Sequence, residues 1–131
     1  MPTIAFDRAS ATYSGRQILK PTTLTLTEKR IGIIGENGGG KSTLVRLING
    51  LGPVTGGTVT YEGMNVAKQA KAIRKNVGFI FSDADNQIVM PTVAEDIAFS
   101  LRKRKLPKDE RNQLVQEALE RFGLADHACL L

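Results

Sequence analysis

Apolar and polar positions alternate over much of the first sixty residues and then change to helical spacing, with glycine at most of the joins. Thr3-Ile4-Ala5-Phe6-Asp7 alternates and predicts a strand, which Ala11-Thr12-Tyr13 prolongs after a turn, and Ser14-Gly15-Arg16 signals the next turn. Residues 22–27 alternate threonine with leucine, the pattern of a half-buried strand. Glu28-Lys29 turns the chain into Arg30-Ile31-Gly32-Ile33-Ile34, which reads as a short buried strand. Leu44, Val45, Leu47 and Ile48 then fall at helical spacing, and Asn49-Gly50 stops that helix. Beyond Gly52-Pro53 and Gly56-Gly57, residues 58–61 predict a strand closed by Glu62-Gly63. Residues 66–74 predict a short basic helix, and residues 77–81 a second buried strand.

From residue 82 onwards only helices are expected. An aspartate-rich polar loop covers 82–87, and Thr92-Val93-Ala94-Glu95 is a capping box that starts a helix running to about Arg104, with Ile97, Ala98 and Leu101 as its apolar face. Leu106-Pro107 breaks it. The last helix spans about 108–122 on the stripe Leu114, Val115, Ala118, Leu119 and Phe122, and Gly123 ends it. Parallel sheets usually alternate strand and helix. Only 30–34 and 77–81 look like buried parallel strands here, and two such strands lack neighbours on both sides. Exposed apolar area and therefore marginal stability or self-association are expected.

Composition narrows the class. With 131 residues the chain is one domain at most, of ordinary apolar content and without low-complexity segments or repeats. No apolar run approaches membrane-spanning length and no signal-peptide pattern opens the chain, so a folded cytoplasmic protein, free to dock on a membrane complex, is expected. Cys129 is the single cysteine and His127 the single histidine, which excludes a disulfide framework and makes no zinc site. The net charge of +5 comes largely from Arg102-Lys103-Arg104-Lys105 with Lys108 and Arg111, and from Lys68, Lys71, Arg74 and Lys75. No aromatic residues are interleaved for base stacking. A solvated helix face or proximity to an anionic membrane is the expectation, and no nucleic acid.

The chemistry lies in Gly35-Glu36-Asn37-Gly38-Gly39-Gly40-Lys41-Ser42-Thr43, which fits G-x-x-x-x-G-K-[ST], the phosphate-binding P-loop. Glycines let the backbone wrap closely enough to aim N–H groups at phosphate oxygens, and the following helix N-terminus favours negative charge. Lys41 is expected to reach the β- and γ-phosphates and the Ser42 hydroxyl to ligate Mg²⁺, while Glu36 and Asn37 are spacers whose backbone matters more than their side chains. Strand before and helix after is the context the motif needs.

With these residues the chain resembles the nucleotide-binding domain of ABC transporters. The resemblance covers nearly the whole chain and implies an α/β P-loop fold: a RecA-like core with an antiparallel β-subdomain, truncated within the helical subdomain. It divides the chain into β-subdomain and P-loop core (1–81), Q-loop region (82–91) and the start of the helical subdomain (92–131). It implies ATP and Mg²⁺ as ligands and Tyr13 as the aromatic residue that stacks on adenine. Residues 83–87 and the stretch Pro91-Thr92-Val93-Ala94-Glu95-Asp96-Ile97-Ala98-Phe99 resemble the ATPase subunits of energy-coupling-factor importers of vitamins and metal ions, and are most similar in wording to those of biotin importers.

That subfamily implies a transmembrane coupling subunit and a second ATPase subunit as partners, with a substrate-binding membrane subunit indirectly, at the cytoplasmic face of the membrane. Gln87 would begin a short helix that touches the coupling subunit. Two departures stand out. Ser82 occupies the position where the family carries the Mg²⁺- and water-sensing glutamine, so Ser82 would act through a water or Gln87 would substitute. The chain also contains no Leu-Ser-Gly-Gly signature, no apolar strand ending in Asp-Glu and no switch histidine. Little or no ATPase activity is expected of the chain alone. Two other readings remain: a small P-loop GTPase or kinase with Asp83 on Mg²⁺, against which no Asn-Lys-x-Asp appears, and a non-catalytic interaction fragment that uses the basic helix 92–104.

Overall fold

The computed structural model describes residues 2–83 and 85–129. The chain folds as two compact units, Met1–Phe79 and Ile80–Leu131.

The first unit is built on a four-stranded antiparallel sheet of order β2-β1-β3-β4, with β1 at Ile4–Tyr13, β2 at Arg16–Leu26, β3 at Gly56–Tyr61 and β4 at Met64–Asn65. Both hairpins turn on two left-handed residues. Ser14 and Gly15 (φ 48° and 77°) lie between the paired Tyr13 and Arg16, and Glu62 and Gly63 (φ 49° and 73°) between Tyr61 and Met64. That backbone hand matches the twist of the strands it joins. β2 begins six residues before the predicted Thr22, because the tight turn puts Arg16 straight into register with Tyr13.

β1 changes phase at a bulge. The register with β3 shifts between Asp7 and Ser10, and Arg8 adopts φ 47°. The N–H of Arg8 donates instead to Thr23 Oγ1 at 3.0 Å, so the bulged amide is not left unsatisfied. Past the bulge, Ala9 and Ala11 are buried along with Phe6 before it. Gly57, at φ 65°, faces the bulge: a Cβ there would lie 2.2 Å from the carbonyl oxygens of both Asp7 and Arg8. Only a glycine lets β3 pair with the bulged strand.

Helices α1 (Lys41–Ile48) and α2 (Val66–Ile73) complete this unit. Leu47, Val66 and Ile73 join Phe6, Ala9, Ala11, Leu19 and Val59 in one core. Burying the large members contributes about 1.5–3 kcal/mol each. Asn65 caps α2 by accepting the Lys68 N–H. Gly50 brings the loop after α1 against α2, where a Cβ would meet that of Ala70 at 2.6 Å.

Residues 30–34 and 77–81 form no strand, contrary to the sequence expectation. Ile34 and Ile80 are 99% and 97% exposed, and Ile31 and Ile33 are also exposed. The physical reason is the lack of neighbours foreseen above: a buried parallel strand exists only between other strands.

The second unit pairs α3 (Val93–Leu101) with α4 (Lys108–Arg121). Thr92 caps α3 as predicted: its Oγ1 accepts the Glu95 N–H at 3.2 Å and donates to the Glu95 carboxylate at 2.9 Å. Asp96, expected only to complement the helix dipole, also accepts the N–H groups of Val89 and Met90 and so fastens the preceding loop to the helix. α3 ends three residues short of Arg104. Arg102–Arg104 tighten into a 3₁₀ turn and Lys105 turns left-handed at φ 53°. Pro107 has no N–H for the carbonyl four residues back and disfavours a helical Leu106, so the segment ahead of it cannot continue as α-helix. α4 buries Val115 and Leu119 and ends in a Schellman motif, with Gly123 at φ 67° donating to Glu120 O and Leu124 to Leu119 O.

Replacing Gly57 with alanine is expected to lower the unfolding free energy of the first unit by about 3 kcal/mol, through backbone overlap added to left-handed strain. Gly63→Ala, equally left-handed but with nothing within 4 Å, is expected to cost about 1 kcal/mol. Urea unfolding followed by circular dichroism checks the contrast.

Candidate phosphate-binding site

The P-loop is shaped by its glycines and by the strand beneath it. Gly40 takes φ 85° as the N-cap of α1, and a Cβ on it would stand 2.8 Å from the carbonyl oxygen of Ile18 in β2. The backbone therefore approaches the sheet more closely than any other residue type allows. Gly38 is left-handed at φ 82°, and the Gly39 N–H closes a turn onto Glu36 O at 3.1 Å. Ile18 and residues 37–43 line a concavity of about 250 Å³ at the start of α1.

Electrostatics there favour an anion. Leu44 N–H bonds to Gly40 O at 2.9 Å, and no side chain caps the helix ahead of it. The first turn of α1 holds no acidic residue, and its last turn carries Arg46. A helix start of this kind presents backbone N–H groups and the positive end of its dipole. Lys41 adds a full charge: Nζ donates to Gly35 O at 2.7 Å and Glu36 O at 2.6 Å. Two carbonyl oxygens thus hold the ammonium at the mouth of the loop, where phosphate oxygens are stronger acceptors. The Ser42 side chain is exposed and lines the same concavity. Cradle, ammonium and hydroxyl fit a nucleotide's phosphates. Among the described residues no group of three or more His, Cys, Asp or Glu side chains is placed to hold a metal ion.

Of the other sequence-predicted residues, Tyr13 belongs to the first unit and Ser82 and Gln87 to the second. Tyr13 is 40% exposed at the end of β1, and its hydroxyl lies against Gly52, at 2.7 Å from where a Cβ would be, rather than lining the P-loop concavity. Ser82 and Gln87 are exposed residues of the second unit. Gln87 ends a 3₁₀ turn at Asp85–Gln87 instead of beginning a helix, because Asp83 takes up the Asn86 side-chain amide and winds the turn upstream of it. The sequence missed a second concavity, of about 440 Å³, in that unit. It is lined by Ile88, Val93, Ile97, Ala118, Phe122 and Leu124, with Asp96 and Ser100 at its polar edge. Its lining residues Ile97, Ala118 and Phe122 belong to the apolar stripes already visible in the sequence of α3 and α4.

Comparison with known proteins agrees with the geometry. The ABC transporter family profile matches residues 19–129. The biotin transport ATP-binding protein BioM of Rhizobium etli is 47% identical over 120 residues, 92% of this chain and 53% of that protein. The energy-coupling factor transporter ATP-binding protein EcfA1 of Mycoplasmoides gallisepticum is 36% identical over 126 residues, covering 94% and 45%. The solved structure of cbiO1 from Clostridium perfringens, described as part of the ABC transporter complex cbiONQ, superposes with a TM-score of 0.80 at 29% identity, over 95% of this chain and 52% of that one. The chain spans about half the length of the curated relatives it matches. A P-loop packed on an antiparallel sheet, matched along most of its length by this profile, belongs to the ABC transporter family of ATP-binding proteins.

Proposed function

We propose that this chain is the P-loop-bearing, N-terminal portion of the ATP-binding subunit of an energy-coupling-factor importer, and that it binds ATP·Mg²⁺ at the start of α1. The observation that carries the reading is the Lys41 ammonium, held on the Gly35 and Glu36 carbonyls beside an uncapped helix N-terminus. Phosphate oxygens replace those two carbonyls as acceptors, and the N–H groups of residues 38–43 wrap the β-phosphate. The Ser42 hydroxyl ligates Mg²⁺, and Tyr13 supplies the aromatic face for adenine. Residues 1–81 are assigned to the β-subdomain and P-loop core, 82–91 to the Q-loop region and 92–131 to the start of the helical subdomain.

In the complete subunit, bound ATP supplies the phosphoanhydride bond whose hydrolysis drives uptake of a vitamin such as biotin, or of a metal ion. The subunit pairs with a second ATPase subunit and with a transmembrane coupling subunit at the cytoplasmic face of the membrane. Gln87 meets the coupling subunit, and the adjoining Ile88 belongs to an apolar groove that suits an amphipathic helix. Among the described residues no helix is long and apolar enough to cross a membrane, which fits a peripheral subunit. Ser82 senses Mg²⁺ through a water, if at all. These 131 residues contain no Asp-Glu pair at the end of an apolar strand and no signature motif, so the chain by itself binds ATP without turning it over.

Calorimetry with ATP·Mg²⁺ tests the assignment. The unaltered chain is expected to bind, and Lys41→Ala to weaken binding about a hundredfold through loss of charge-assisted bonds. Equal binding by both proteins, or no binding by either, contradicts the reading, and preference for GTP transfers it to a GTPase. Tyr13 has its own control. Stacking worth about 1–3 kcal/mol predicts a loss of about 5- to 150-fold for Tyr13→Ala and no change for Tyr13→Phe. Loss in both variants would assign Tyr13 to its hydroxyl contact at Gly52.

A further inference from the structure

We propose that the basic turn at the end of α3 is a docking surface for anionic phospholipid headgroups, giving the chain a contact with the bilayer in addition to its protein partners. Of the seven Lys and Arg residues between positions 80 and 131, six lie within 102–111. That stretch also contains Asp109 and Glu110, but these sit in the first turn of α4, where they complement its dipole. Arg102, Lys103, Arg104 and Lys105 are all exposed, and none pairs with a carboxylate among the described residues.

The charge is dense along the chain: a 3₁₀ turn at Arg102–Arg104 and the left-handed Lys105 (φ 53°) place four exposed cations in succession after α3. Like charges held so close repel unless a counter-charge comes from outside the chain. Phe99 completes the surface. It is 40% exposed, and the Arg102 guanidinium lies 5.3 Å from its ring centre. A half-exposed aromatic ring under a cation, beside a cluster of basic side chains, matches the lipid interface, where the ring sits at headgroup depth and the cations reach phosphate. Nucleic acid is a poorer fit. The ring nearest these cations in sequence, Phe99, has its face covered by Arg102 and is not open to stack on a base.

Co-sedimentation of the 131-residue chain with vesicles tests this directly, without nucleotide and without any membrane subunit, so that its failure is distinct from failure of the ATP reading. Phosphatidylcholine vesicles with about one third phosphatidylglycerol are expected to bind the chain at least about tenfold more tightly than pure phosphatidylcholine, and less so as salt rises. Glutamine at all four positions 102–105 is expected to weaken binding by about a hundredfold or more. Exchanging the four between lysine and arginine is expected to preserve it, which separates charge from folding. Glutamine at Lys68, Lys71, Arg74 and Lys75 is expected to change binding by less than about twofold, since that cluster lies in the other unit. The chain has no tryptophan, so Phe99→Trp is a unique reporter, and its emission is expected to shift to the blue on the anionic vesicles only. Equal binding to both vesicle types, unchanged binding by the 102–105 glutamine variant, or displacement from vesicles by single-stranded RNA at equal phosphate concentration would each overturn the proposal.

Discussion

The ammonium of Lys41 rests on two carbonyl oxygens of the loop that precedes it, and the rest of the site is arranged around that contact. A cation at the start of a helix opposes the positive end of the dipole and needs compensation. Gly35 and Glu36 provide it from the loop side, and their carbonyls turn inward because Gly38 and Gly40 take left-handed conformations closed to other residues without strain. The carbonyl of Ile18 beneath position 40 leaves no room for a Cβ there, and Ile18 lies between the paired Gln17 and Leu19, where the β1–β2 register shifts.

The sheet that supports the loop depends on a second close approach. The bulge at Arg8 shifts the burial phase of β1 so that Phe6 and, beyond it, Ala9 and Ala11 all enter the core. Thr23 satisfies the bulged amide from one side, and the bare Cα of Gly57 admits the bulge from the other. The second unit follows a different logic. Its order comes from local bonds at helix ends: the Thr92–Glu95 cap, the Asp96 clamp on Val89 and Met90, and the Schellman turn at Gly123.

Much of this was legible in the sequence. The P-loop, its helix and the Asn49-Gly50 stop follow from residue types whose conformational demands are local. The capping box and the final helix with its glycine stop are local too, and ended within a few residues of expectation. Features set by partners were not legible. Residues 30–34 and 77–81 have strand composition but no strand, since composition cannot supply a neighbour. The Arg8 bulge was hidden because it depends on Gly57, far along the chain. Asp96 looked like a dipole charge because its loop contacts are tertiary. α3 ends at Leu101 and passes into a 3₁₀ turn before Lys105, a tightening of the last turn that residue types alone do not signal. For Tyr13 the contact of its hydroxyl with Gly52 is set by side-chain packing that no motif encodes.

In the proposed nucleotide complex, Lys41 exchanges its two carbonyl acceptors for phosphate oxygens, and the loop amides donate to the same phosphates. Amide chemical shifts of the ¹⁵N-labelled chain, recorded with ATP, ADP and AMP in the presence of Mg²⁺, test it most directly. ATP and ADP are expected to move the N–H signals of residues 38–43 together, while AMP, lacking a β-phosphate, leaves them in place. Shifts of equal size with AMP, or shifts confined to residues of the second unit, would contradict phosphate recognition by this loop.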